Sequence, residues 1–195
     1  VQGKQAVFEI ETDYPQSGEL AFRYTGEEKI FLTLAVRIPA WSREYRIKTP
    51  GNMSVHMKNG YLYVTGVWEK GSVLNVSLTI EPVFVKSDER VQENLGRIAV
   101  MRGPFVYCME EHDNGKNLEE YVVDPVMQNK TFVVNVNGKE MGKTEGTVPV
   151  AQERKIIVEG KEIPAILIPG LRQADTSKEK EEKNIIFIPY YVWAN

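Results

Sequence analysis

Apolar residues recur at every second position along most of this chain, and no segment sustains the period of an amphipathic helix. Ile30, Leu32, Leu34, Val36 and Ile38 fall on one face of an extended segment, with Phe31, Thr33, Ala35 and Arg37 on the other. Leu74, Val76, Leu78 and Ile80 alternate in the same way with Asn75, Ser77, Thr79 and Glu81. Phe132, Val134 and Val136 repeat the pattern, and Phe8, Ile10 and Thr12 give a weaker version of it. Turn signals separate these runs. Asn59-Gly60 stands between Val55-His56-Met57 and Tyr61-Leu62-Tyr63-Val64, and both of its residues tolerate positive φ, which predicts a tight hairpin. Glu159-Gly160 predicts a second hairpin between Ile156-Ile157-Val158 and Ile163 to Ile168, with Pro164 at an edge or a bulge. Asn117 to Tyr121 is the one stretch read as a helical turn. The expected fold is all-β, two consecutive antiparallel β-sandwich domains.

At 195 residues the chain is long enough for two such domains and for a core that needs no disulfide or metal. The polar stretch 86–90 reads as the connector, giving residues 1–90 to the first sandwich and 91–195 to the second. Residues 173–184 mix both signs of charge and read as a solvated loop. Val1 leads almost directly into a strand-like run and Trp193-Ala194-Asn195 closes an apolar one, so the chain is expected to be a piece of a longer polypeptide, its last strand truncated. No leader pattern is present, and the apolar run from Ile185 to Trp193 is far shorter than the roughly 20 residues of a membrane span.

The 24 Lys and Arg and 27 Asp and Glu form no dense basic stripe, which argues against nucleic acid as a partner. One cysteine and two histidines supply few ligands for a zinc site of the usual kind. Cys108 lies in an apolar strand beside Glu110 and Glu111, a setting that disfavours thiolate and marks it as a buried structural cysteine. His112, within Glu110-Glu111-His112-Asp113, is expected on a strand end that runs into a turn at Asn114-Gly115; its side chains alternate between faces and so do not converge on a metal. No nucleophile elbow, phosphate-binding loop or zinc-protease motif occurs, and no pair of carboxylates stands out for glycoside hydrolysis. Sequons at Asn52, Asn75 and Asn129 carry little weight, Asn75 falling inside a predicted strand.

Trp41, Trp68 and Trp193 are the aromatic candidates. An exposed ring could stack on a sugar, whereas a buried one belongs to a core or an interface. Arg102, in Arg102-Gly103-Pro104, is the candidate for a contact element, because Gly and Pro fix the backbone and Arg suits a carboxylate.

These segments also carry a family resemblance. In order come Tyr14-Pro15-Gln16-Ser17-Gly18, Val36-Arg37-Ile38-Pro39-Ala40-Trp41, and Tyr63 to Gly71 with Val67-Trp68-Glu69-Lys70-Gly71. Arg97 to Glu110, including Met101-Arg102-Gly103-Pro104-Phe105, and Ile188 to Asn195 complete the series. Together they resemble the C-terminal β-sandwich region of glycoside hydrolase family 127, the β-L-arabinofuranosidase-like proteins. Gln16 stands where the family commonly has Trp, Ser72 where Asp commonly follows the Gly, and Val192 where Ala is usual; a final strand after Trp-Ala-Asn is absent. The resemblance implies that zinc, nucleophilic cysteine and catalytic acids belong to an N-terminal α-helical barrel outside this chain, and it gives Cys108, Glu110 and Asp113 no catalytic role.

The expectation is therefore a non-catalytic accessory region with no metal or cofactor of its own. Its partner would be the catalytic barrel of the same polypeptide, with a plant-type polysaccharide or oligosaccharide as a further partner, no nucleic acid and no membrane, in an exported parent protein. A carbohydrate-binding module and a standalone adhesive or assembly module are the alternatives.

Overall fold

A computed structural model describes residues 5–123, 126–158, 160–173 and 180–192. The chain divides into two compact units, unit 1 comprising residues 1–80 with 131–146 and unit 2 residues 81–130 with 147–195. The division is not linear in sequence, because residues 131–146 return to the first unit.

Unit 1 is a sandwich of two sheets. Strands β1 (Phe8–Thr12), β2 (Glu19–Tyr24), β3 (Ile30–Arg37), β4 (Tyr45–Lys48), β5 (Ser54–Lys58), β6 (Tyr61–Trp68) and β7 (Val73–Leu78) are followed, after the unit 2 segment, by parts of β12 (Met127–Val136) and β13 (Lys139–Pro149). The larger sheet has the order β1-β2-β7-β4-β12-β13 and the smaller one β3-β6-β5. The alternation read in the sequence sets which face is buried. Ile30, Leu32 and Val36 point inward with Leu62, Val64 and Trp68, and meet Phe22, Ile47, Leu74 and Val76 of the other sheet in one apolar cluster. Asn59 and Gly60 have φ of 52° and 75° at the β5–β6 turn, as the Asn-Gly signal requires. Asn137 and Gly138 repeat this geometry between β12 and β13, with φ of 50° and 81°.

Two features of unit 1 depart from a simple meander. β12 runs parallel to β4, pairing Val134 with Tyr45 and Val136 with Ile47, whereas the neighbouring β2–β7 and β4–β7 ladders are antiparallel. Gly18 supplies a close crossing. Its carbonyl accepts the Leu78 N–H at 2.8 Å, and a Cβ on residue 18 would fall 1.8 Å from the Leu78 oxygen, so only glycine fits.

Unit 2 contains β8 (Pro82–Val85), β9 (Ala99–Arg102), β10 (Phe105–Cys108), the single helical turn α1 (Glu111–Asn114), β11 (Tyr121–Val123), β14 (Gln152–Val158), β15 (Lys161–Gln173) and β16 (Lys180–Pro189). They join in one connected sheet of order β11-β15-β16-β10-β9-β8, with β14 also on β15. Ile166 and Ile168 enter one apolar cluster, whereas Ala165 and Leu167 enter another, so β15 is covered on both faces. The hairpin expected around Gly160 is present, and Pro164 lies beyond the end of the β15–β16 ladder, which starts at Ile166 and Phe187. A 3-10 turn at Leu118–Glu120 matches the helical turn expected there.

The loop expected over 173–184 needs correction. Residues 180–184 belong to β16 and pair with β15 from Gln173 back to Pro169, while 174–179 lie outside the described residues. Charged side chains at that end sit on a backbone whose hydrogen bonds β15 supplies, which composition alone does not reveal.

Candidate functional site

The aromatic candidates occupy different environments. Trp68, the last residue of β6, has no exposed surface and packs edge-on against Phe8, with ring centroids 5.0 Å apart. Its indole N–H is buried without a hydrogen-bond partner. Such a ring stacks on protein only and is closed to a sugar. Trp41 is half-buried in the loop after β3, where it leans on the unit 1 core and stacks on exposed Tyr14 with centroids 6.5 Å apart and planes 15° from parallel. Tyr14 is thus the companion that the sequence reading did not single out. Trp193 lies outside the described residues.

Arg102 belongs to unit 2, in the β9–β10 hairpin, whose turn residue Gly103 has φ of 58°. Its guanidinium meets the Glu153 carboxylate at 3.0 Å, while its Nε is buried with no partner. The side chain is only 18% exposed. The carboxylate expected for Arg102 is therefore supplied at least in part by its own unit. Burial pushes the neighbouring Tyr107 hydroxyl up to about 12; the Arg102 charge opposes that rise, and Tyr191 and Glu153 add to it.

Cys108 is half-buried on the next strand. Burial and then the Glu110 charge push its thiol up, the opposite of what a nucleophilic thiolate requires. The extended conformation expected for Glu110 to Asp113 is replaced by the turn α1, which places His112 in solvent. The cause is Asn114, which is 1% exposed and whose amide donates to the carbonyls of Glu110 at 3.1 Å and Ile186 at 2.9 Å. Its Oδ1 accepts the Ile186 N–H at 2.8 Å, so the turn is fastened to β16. Gly115, with φ of 92°, closes it as a helix-terminating glycine, a signal that the sequence reading took for a strand turn. Among the described residues no three His, Cys, Asp or Glu side chains are grouped to hold a metal.

The description "Glycoside hydrolase family 127 C-terminal domain" matches residues 82–195, more than half of the chain. This chain belongs to glycoside hydrolase family 127. Residues 1–80 match a second description of the same family, "Beta-L-arabinofuranosidase, GH127 middle domain". A non-reducing end β-L-arabinofuranosidase of Bifidobacterium longum subsp. longum is 30% identical over 164 residues, covering 82% of this chain and 24% of that protein. A solved family 127 β-arabinofuranosidase is 25% identical, with a TM-score of 0.77 over 100% of this chain and 30% of its own. A family 127 β-L-arabinofuranosidase from Geobacillus stearothermophilus T6 shares the fold at a TM-score of 0.77 and 24% identity, with 29% of its length covered. The chain thus spans about a quarter of the curated β-L-arabinofuranosidase it matches.

Proposed function

We propose that this chain is the non-catalytic β-sandwich region of a glycoside hydrolase resembling β-L-arabinofuranosidases, and that it packs against and supports an N-terminal α-helical barrel in which catalysis takes place. The observation that carries this reading is coverage: the chain matches family 127 middle and C-terminal domains along nearly its whole length, yet only 24% of the β-L-arabinofuranosidase relative. The local chemistry points the same way. The Cys108 thiol is held up rather than activated, and Arg102 is paired with Glu153. An N-terminal barrel that lost its supporting domains would expose the surface they cover.

Deleting these residues from the parent enzyme tests the reading. The expected result is a Tm lower by roughly 5 °C or more, followed by loss of soluble protein, since each kcal/mol lost from a domain of this size moves Tm by about 2–4 °C. A truncated enzyme with unchanged Tm and unchanged kcat/KM would remove the supporting role.

A further inference from the structure

The outer face of the larger sheet in unit 1 carries a groove that the accessory reading leaves unused. Pairing across β2, β7, β4 and β12 aligns Glu19, Ser77, Arg46 and Asn135 in one row, and Ala21, Asn75 and Lys48 in the next. The short side chain of Ser77 keeps the floor low, and Arg46 and Lys48 rise beside it. The resulting groove has a volume of about 660 Å³. One wall is held by hydrogen bonds. Asn137 accepts the Thr49 N–H and donates to the Thr49 hydroxyl, both at 2.9 Å, and Asn135 accepts the Gly138 N–H at 2.9 Å.

Ser77 donates its hydroxyl to the Glu19 carboxylate at 2.7 Å. The side chains of Arg46, Lys48 and Asn75 make no hydrogen bond or ion pair with any described residue. Elsewhere in unit 1, Arg23 meets Glu11, Lys29 meets Glu69 and Lys70 meets Glu27. Arg46 and Lys48 thus stand close together on one strand, beside a free amide, with no described carboxylate paired to either.

We propose that this groove binds an acidic oligosaccharide, a sugar chain bearing carboxylate groups. Guanidinium and ammonium groups match a carboxylate, the former through two parallel hydrogen bonds. An amide such as Asn75 donates and accepts at once, as sugar hydroxyls do, so it reads the uncharged part of the chain. A neutral sugar leaves both cations without a counter-charge. A dense polyanion such as nucleic acid is disfavoured for the opposite reason: Glu11, Asp13 and Glu19 line the adjoining groove on the same face, which shares Asn75. Sparse negative charge on a hydroxyl-rich chain satisfies both halves of the face. The proposal does not depend on the supporting role, because sugar binding by this chain and stability of the parent barrel are separate readouts.

Calorimetry and amide NMR on the 195-residue chain test it, with a short oligogalacturonate as probe and a neutral arabino-oligosaccharide and inorganic polyphosphate as comparators. The oligogalacturonate is expected to bind, to shift the amides of Arg46, Asn75 and Ser77, and to bind about tenfold or more tightly than either comparator. Arg46→Gln with Lys48→Gln is expected to weaken it by about tenfold or more at an unchanged unfolding midpoint. Asn75→Ala should lower affinity for the oligogalacturonate while leaving the salt dependence as it was, because it removes a neutral contact. Absence of heat and of shifts at millimolar sugar overturns the proposal. So does affinity indifferent to the double substitution, and so does polyphosphate binding as tightly as the uronate, which would mark a generic cationic patch.

Discussion

Trp68→Ala is expected to destabilise unit 1 by about 3–5 kcal/mol, the range for removing a fully buried large aromatic. The indole touches Phe8 edge-on and lies in the cluster formed by the inner faces of both sheets, so its loss leaves a cavity between sheets that extended strands do not readily collapse. Against a total stability of about 5–15 kcal/mol for a typical domain, that is a large fraction. Trp68→Phe supplies the control. The indole N–H has no partner, so phenylalanine forfeits volume but no hydrogen bond, and a cost under about 1.5 kcal/mol is expected. Urea denaturation of both variants measures the difference. A Trp68→Ala loss below about 1 kcal/mol would mean that the ring is not the centre of this core.

The second large effect belongs to unit 2. Asn114→Ala is expected to cost about 2–4 kcal/mol, because it strips the side-chain partner from both the Ile186 N–H and the Ile186 carbonyl, while the Glu110 carbonyl keeps only the backbone N–H of residue 114. The main-chain carbonyl of Asn114 also accepts from the Tyr121 hydroxyl and from Lys183, so the turn α1 ties β11 and β16 at one point. Asn114→Asp keeps the shape but replaces the donor facing two carbonyls with an acceptor. Its carboxyl is expected to have a raised pKa in the folded state, so its destabilisation is greatest at neutral pH and shrinks as falling pH protonates it. Thermal unfolding followed across pH measures this. An aspartate variant as stable as wild type at neutral pH would show that the amide donors are dispensable.

Much of unit 1 was legible in the sequence because strand parity is a local property. Trp68 shares parity with Leu62 and Val64, which places it on the inward face of β6, and its burial could have been read from that alone. Trp41 follows Pro39 in a loop with no period, so neither its stacking on Tyr14 nor its half-burial had a local signal. The turn α1 was misread because Asn114-Gly115 serves equally as a hairpin turn and as a helix end; the buried partner that decides between them, Ile186, is far along the chain. The groove lay beyond sequence reading altogether. Its rows are assembled from β2, β7, β4 and β12, and the parallel β4–β12 pairing that completes them joins residues widely separated in sequence.

The most direct test of the central claim is hydrolysis of an aryl β-L-arabinofuranoside by the 195-residue chain alone, set beside the parent polypeptide at equal molarity. Activity in the parent and none above buffer in the chain is the expected result, since the proposed catalytic barrel lies outside these residues. Turnover by the isolated chain that co-purifies with it and is lost on unfolding would contradict that assignment.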